Sequence, residues 1–411
     1  MGGFIGNRKL TYAGEMAPEL DNWASIAKAV RSGRAAELFS IGEQLITPWT
    51  YNGTTYDAPQ NICHFSDSEK FSEDNGKNAT TGKGMILQWH YATPYDIPFD
   101  APEALYAAPE GGLRAGVYYF IVTNHNDTIN GKTYMFELTK DLTEGQQLML
   151  SAAYDNTDWA GTYIRVYDSP YNNAYNTGYG VDGNMELSEW DGESGSPLSG
   201  DASSNSTDGN GELNHIARVF YGYNRWSQSA IRQWLNSAAQ ARNASDTENY
   251  PGWWTPQNKY DRIPSQAFTY PGFLAGYEDD FIAAMKPVKV VTDCNTVTDG
   301  GVTDVTYDKV FLPSLTQMNI ESQVVESETW DYYKELFAAN PVSGRTNWAK
   351  TKAYDALKSY SISAKATAAS VQLRSAHLSS ANYAWYVHTG GTVYNGRTIL
   401  AVRARPACVI G

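Results

Sequence analysis

LRSAHLSSANYAWYVHTGGTVYNGRTILAVRARPACVI, residues 373–410, parses as a set of short strands separated by tight turns. Apolar runs at Val371–Arg374, Tyr383–His388, Thr392–Tyr394 and Leu400–Arg403 have strand length, and Gly390-Gly391 and Asn395-Gly396 punctuate them. An Asn-Gly pair between two such runs predicts a hairpin turn, because both residues tolerate the left-handed backbone. The polar positions are Tyr, His, Ser, Asn, Thr and Arg. That mixture suits a ligand-facing surface, where Tyr supplies area at little rotamer cost and Ser and Asn supply adaptable hydrogen bonds. It equally suits an ordinary hairpin that closes a sheet and leaves its Tyr and Ser half-exposed.

Upstream, SQSAIRQWLNSAAQA (Ser227–Ala241) puts Ile231, Trp234, Leu235 and Ala238 on one helical face, with Ser227 or Ser229 as cap. Gly272–Ala284 predicts a second helix, and Val288–Thr292 and Lys309–Leu312 predict strands. Trp253-Trp254-Thr255-Pro256 reads as a plug anchoring a long loop rather than a sugar-stacking platform, since Trp is highly buried on average. Asp182–Gly211 is too polar to bury a core and predicts a linker or surface loop. Its Asp182, Asn184 and Glu186 do not complete a calcium loop. Between Gly116 and Val166, four β-like runs separated by polar turns predict a small β-sandwich module. Phe39–Ile46 and Met85–His90 read as strands. Pro18–Leu38 reads as a helix capped by Asp21 or Asn22 and ending near Ser32-Gly33.

The chain's 411 residues allow roughly two to three domains. A net charge of −14 without a basic stripe excludes nucleic acid as the principal partner, because phosphate neutralisation needs clustered Lys and Arg. Cys63, Cys294 and Cys408 are too scattered for a disulfide framework or a zinc site. No apolar run reaches the roughly eighteen residues of a membrane span, so no membrane insertion is expected. MGGFIGNRKLTYAGEM lacks the apolar centre of a secretory signal. An extracellular role would then need release by another route, such as lysis as part of a virion.

The histidines are scattered, with no HExxH, nucleophile elbow or phosphate-binding loop. Asp279 and Asp280 read as solvated surface carboxylates. The expectation is therefore a protein without catalytic residues, cofactor or metal.

An ordered series of segments, YGYNRWSQSAIRQWLNS, WWTPQNKYDRIPS, GFLAGYEDDFIAAM, NTVTDGG, DKVFLPS and the stretch at 373–410, resembles a domain of uncharacterised function found in phages, prophages and gut bacteria. It is also similar to the variable proteins of diversity-generating retroelements. That resemblance implies a C-type-lectin-like, sulfatase-modifying-factor-like α+β domain over residues 212–411, with residues 39–97 contributing its first part. Residues 1–38 would be an N-terminal helical segment, 98–190 a β-rich insertion and 191–211 a loop. Leu373, Arg374, Ser375, Trp385, Val387, Pro406, Ala407, Cys408 and Val409 match the constant frame. Between them, the resemblance makes His377, Ser379, Ser380, Tyr383, Tyr386, His388, Thr392, Tyr394, Asn395, Arg397, Thr398, Ile399 and Leu400 the diversified, ligand-binding positions. It implies a receptor-binding protein of a virion, trimeric by analogy with phage fibres. Its partners would be a host-surface protein or glycan and other virion proteins. The alternative is a head or tail decoration without a receptor. The cysteine chemistry of sulfatase-modifying enzymes and the EPN, QPD and WND calcium motifs of true lectins have no counterpart in this sequence, so neither activity carries over.

Overall fold

The strand-rich texture after Phe39 becomes one large antiparallel sheet. A computed structural model describes residue 20, residues 22–103, 221–242, 252–320, 322, 326–339 and 355–411, except 259 and 297, with short stretches between 106 and 167. Its longest strands come early: β1 (Gln44–Tyr51), β2 (Thr54–Phe71) and β3 (Thr80–Trp89). Much later come β4 (Val288–Asp293), β5 (Thr303–Asp308) and β6 (Val310–Phe311), then β7 (Val371–Ala376), β8 (Tyr383–Val387), β9 (Val393–Arg397) and β10 (Ala407–Ile410). The large sheet runs β5-β4-β2-β3-β10-β6, with β1 also paired to β2. Strands 44–89 thus lie in the middle of a sheet whose other members follow residue 287. The chain is mixed α+β, with antiparallel pairing in every named sheet and short helices.

The helices are α1 (Trp23–Arg31), α2 (Ala35–Leu38), α3 (Ala230–Leu235), α4 (Asp279–Ala284) and α5 (Asp331–Ala339). Asn22 caps α1, its Oδ1 accepting from the Ser25 amide at 2.9 Å while Ser25 reaches back. The predicted helix over 18–38 is divided at Gly33, whose φ of 81° belongs to a helix end. The predicted Ser227–Ala241 helix is also shorter. It starts at the Ser229 cap and stops at Asn236, whose side chain turns to Val310 O (2.7 Å) and the Val310 amide (3.0 Å). The predicted Gly272–Ala284 helix is a 3₁₀ turn at Phe273–Gly276 followed by α4. Gly276 sits so close to the Trp49 indole that a Cβ would lie 2.3 Å from its Nε1.

Aromatic rings fill the space between the sheet and these helices. Trp49 stacks on Tyr51 at 4.5 Å and meets Trp89 edge-on at 5.1 Å. Three of the buried indoles find acceptors in this layer: Trp49 donates to Phe273 O, Trp89 to Tyr277 Oη and Trp234 to Pro271 O. Trp253 and Trp254 are buried, and Trp253 donates to Tyr270 O at 2.8 Å, which makes this pair a plug. Cys63, Cys294 and Cys408 are buried free thiols.

Within the expected β module, strands at Gly116–Ile121, Thr133–Leu138 and Ile164–Tyr167 form a three-stranded antiparallel sheet. The sandwich itself, the loop at 191–211 and the 182–186 segment lie outside the described residues. Among the described residues, no helix is long and apolar enough to cross a membrane.

Candidate ligand-display site

β7, β8 and β9 form a separate three-stranded sheet, β8 central. Every residue of β7 is buried. Leu373 enters the apolar core. Arg374 is 1% exposed and spends its guanidinium on Leu312 O (2.8 Å), Thr292 Oγ1 (3.2 Å) and Gln317. Burial lowers its pKa to about 10, against the opposing pull of Glu326 and Asp308. Burial also raises the Glu326 carboxyl, which accepts from Ser375. Gln372 donates to Trp385 O at 2.8 Å, tying β7 to β8.

The hairpin β8–β9 is organised by alternation. Tyr386 faces Tyr394 and Ala384 faces Gly396, so these side chains share one face with His388; Trp385, Val387 and Val393 take the other and are buried. The turn is His388–Thr392, with the Gly391 amide donating to His388 O and the His388 amide to Thr392 O, both at 2.8 Å. Gly391 has φ 81°. Asn395-Gly396, expected as a turn, instead lies inside β9. Gly396 is needed there for space rather than for a turn: a Cβ would stand 2.9 Å from Tyr386 Cε1 and 3.3 Å from Leu400 Cδ2.

The thirteen expected positions divide accordingly. Tyr386, His388 and Tyr394 form an aromatic group on the outer face, with the two phenols near-parallel at 6.2 Å and His388 against each. Burial raises the Tyr386 phenol, and Tyr394 adds to the shift. Leu400 is 44% exposed beside Gly396. Thr392 is half-buried next to the turn. Tyr383, Asn395 and Arg397 project from the opposite face and are half-buried, Arg397 lying 3.7 Å over the Tyr221 ring. Ser379 is exposed, and His377, Ser380 and Ile399 are half-buried; His377 stacks on Trp385 at 5.4 Å. Thr398 corrects the expectation. It is 1% exposed and donates its hydroxyl to Tyr221 O, so it belongs to the frame.

The residues that hold this surface lie far away in sequence. Tyr221–Asn224 passes behind the hairpin. Tyr221 O accepts from the Ile399 amide at 3.1 Å, and the Asn224 amide donates to Ala381 O at 3.0 Å. The Asn224 side-chain nitrogen reaches three carbonyls of residues 377–383: Ser380 O at 2.6 Å, Tyr383 O at 2.8 Å and His377 O at 3.2 Å. Asn295 donates to Asn224 Oδ1 at 3.0 Å and so fixes which way the amide points. The Thr296 amide adds a bond to Leu378 O at 2.7 Å. Arg225 clamps Asp304 with two bonds of 2.7 and 2.6 Å. Burial works to raise the Asp304 carboxyl, but hydrogen bonds from Arg225 and Ser227 hold it below its ordinary value. YGYN gives no local sign of this role, since the loop carbonyls that the Asn224 side chain meets are 153 or more positions away.

Beside Tyr221–Asn224, the Asp100 amide donates to Thr398 O at 3.1 Å, and Asp100 Oδ2 accepts from the Tyr223 amide at 3.0 Å. Asp100 Oδ1 is buried without a hydrogen-bond partner. Burial raises the Asp100 carboxyl well above its ordinary value, and the nearby acids Asp261 and Glu103 push it further. Among the described residues, no group of three or more His, Cys, Asp and Glu is arranged to hold a metal ion.

Residues 203–411, just over half of the chain, match the family model described as a domain of unknown function, DUF6273. No curated protein and no solved structure matches the chain.

Proposed function

We propose that this chain, which belongs to the DUF6273 family, is a ligand-binding protein of a phage or prophage particle, with host-surface recognition carried by the β8–β9 hairpin. The observation that carries this reading is the outer face of that hairpin. Tyr386, His388 and Tyr394 offer an accessible aromatic group, while alternate positions Trp385, Val387 and Val393 are sealed into the core. Rigid aromatic anchors ringed by adaptable polar side chains are the physical make-up of a paratope. Thr392 and the 377–380 loop would supply the polar surroundings, while Asn395 and Arg397 lie on the opposite face of the hairpin. The likeness to variable retroelement proteins points the same way, and with it a C-type-lectin-like arrangement of the sheets. The ligand class is a host-surface protein or glycan, and several copies, a trimer in this proposal, would raise modest single-site affinity through effective concentration.

The test is adsorption of labelled protein to intact cells from a panel of bacterial strains, with the triple variant Y386A/H388A/Y394A alongside. Strain-dependent binding lost in the variant, with unchanged melting, is the expected result. Equal adsorption by both proteins overturns the receptor reading and leaves decoration of the particle. Light scattering that shows only monomer at micromolar concentration removes the trimer.

A further inference from the structure

We infer that Tyr221–Asn224, with Asn295 and Thr296, is a main-chain clasp that fixes the 377–383 loop and the 398–399 segment without reading the display side chains, making Asn224 the positioning residue of the site. The inference rests on the binding reading above for its purpose, not for its geometry. Asn224 meets the loop through Ala381, His377, Ser380 and Tyr383 carbonyls. Thr296 meets it through Leu378 O, from both its amide and its hydroxyl. On the other segment, Tyr221 O takes the Ile399 amide and Asp100 donates to Thr398 O. A main-chain carbonyl is present whatever residue carries it, and an amide whatever residue but proline, so these bonds survive substitution at 377, 380 and 399. The amide has only two hydrogens for three carbonyls, which places the two shorter bonds first and leaves His377 O sharing.

Three side chains are exceptions and mark the clasp's limits, and one of them is Arg397, which lies 3.7 Å over the Tyr221 ring. Thr398 uses its hydroxyl on Tyr221 O, and it is the expected display position that the structure buries. Ser380 Oγ bonds to Asn382 Oδ1 at 2.6 Å. Gly222 allows the close approach: at φ 79° a Cβ there would meet Thr398 Oγ1 at 2.6 Å and Ala101 O at 2.9 Å. The physical consequence is a loop whose shape is set from outside, so its chemistry can change without a new fold. Exchange is therefore tolerated at Ser379 and Ile399, and resisted at Asn224, Gly222 and Thr398.

Hydrogen–deuterium exchange on the full chain without ligand tests this. N224D keeps the size but removes the donating amide. It is expected to speed exchange over residues 376–383 by roughly tenfold or more, the scale of losing buried hydrogen bonds, while the β2–β3–β10 core stays protected. The combined change S379Y/I399N is expected to leave the exchange pattern and the melting temperature at wild-type values. Protection over 376–383 unchanged in N224D, or lost in the combined variant, overturns the clasp. If N224D does not fold, N295A serves in its place, because it frees the Asn224 amide to rotate and carries the same expectation. A ligand-binding defect in Y386A/H388A/Y394A leaves these rates untouched, so the clasp and the binding reading fail separately.

Discussion

β7 and β9 belong to the same three-stranded sheet, yet one is specified by its side chains and the other by its backbone. All six residues of β7 are buried, and Gln372, Arg374 and Ser375 each bond through the side chain to a distant element. β9 buries only Val393, and its remaining positions are half-exposed. The contrast teaches where sequence change is costly. A buried polar network fails when one member is removed, because its partners stay buried and unsatisfied. An outer strand held by ladder bonds and turn geometry loses only the contacts of the side chain that changes.

The largest effect expected from this contrast concerns the frame as a whole. The matched segment 203–411 contains β4 and β10 but not β2 and β3, which separate them. β10 pairs with β3 from Ala407↔Gln88 to Ile410↔Met85. Residues 203–411 expressed alone are expected to be unfolded or aggregated by circular dichroism and near-UV signal, and co-expression with residues 20–103 is expected to restore solubility. A cooperative melt from the isolated segment would break the comparison at its base.

Next in size is R374A. It removes a guanidinium that serves Leu312, Thr292 and Gln317 and leaves Glu326 buried without its nearby positive charge. Leaving buried acceptors such as Leu312 O and the Gln317 amide oxygen unsatisfied costs about 1–3 kcal/mol each, read as a shift in the denaturant midpoint. A loss below about 1 kcal/mol would show that β7 is no more constrained than β9.

A smaller effect sharpens the frame's electrostatics. The Asp100 carboxyl is raised above its ordinary 3.8 by burial and by Asp261 and Glu103. The folded chain therefore keeps a proton that the unfolded chain releases. The stability it contributes is full below that ordinary value and declines as pH rises through the folded one. D100N removes this loss and retains the acceptor for Tyr223. Denaturant titrations between about pH 5 and pH 8 are expected to show a D100N advantage that grows with pH. An advantage that shrinks with pH contradicts the assignment.

Much of the frame was legible because it is written in local pattern. The caps at Asn22 and Ser229, each one of two candidates in the sequence, and the apolar runs at 371–374 and 383–388 are set within one or two turns of chain. The Trp253-Trp254 plug followed from the burial habit of tryptophan. What escaped was long-range. Asn395-Gly396 carries the local signature of a turn, but the Tyr386 ring across the strand claims the space that glycine leaves. Thr398 looks like its neighbours in composition and is drawn inside by Tyr221. Asn224 acts on carbonyls from residue 377 onward, a role that no spacing rule near YGYN encodes. The display positions themselves came from family likeness, and alternation along β8 and β9 then separated them into two faces.

The smallest stability effect is expected where the proposed function is greatest. H388A alone should change stability by no more than about 0.5 kcal/mol, as for other exposed sites. The decisive measurement is Y386A/H388A/Y394A followed by paired thermal melting and cell adsorption. The account predicts a near wild-type cooperative melt with adsorption abolished. A collapse of the melt comparable to R374A, or adsorption that persists with the melt intact, would contradict it.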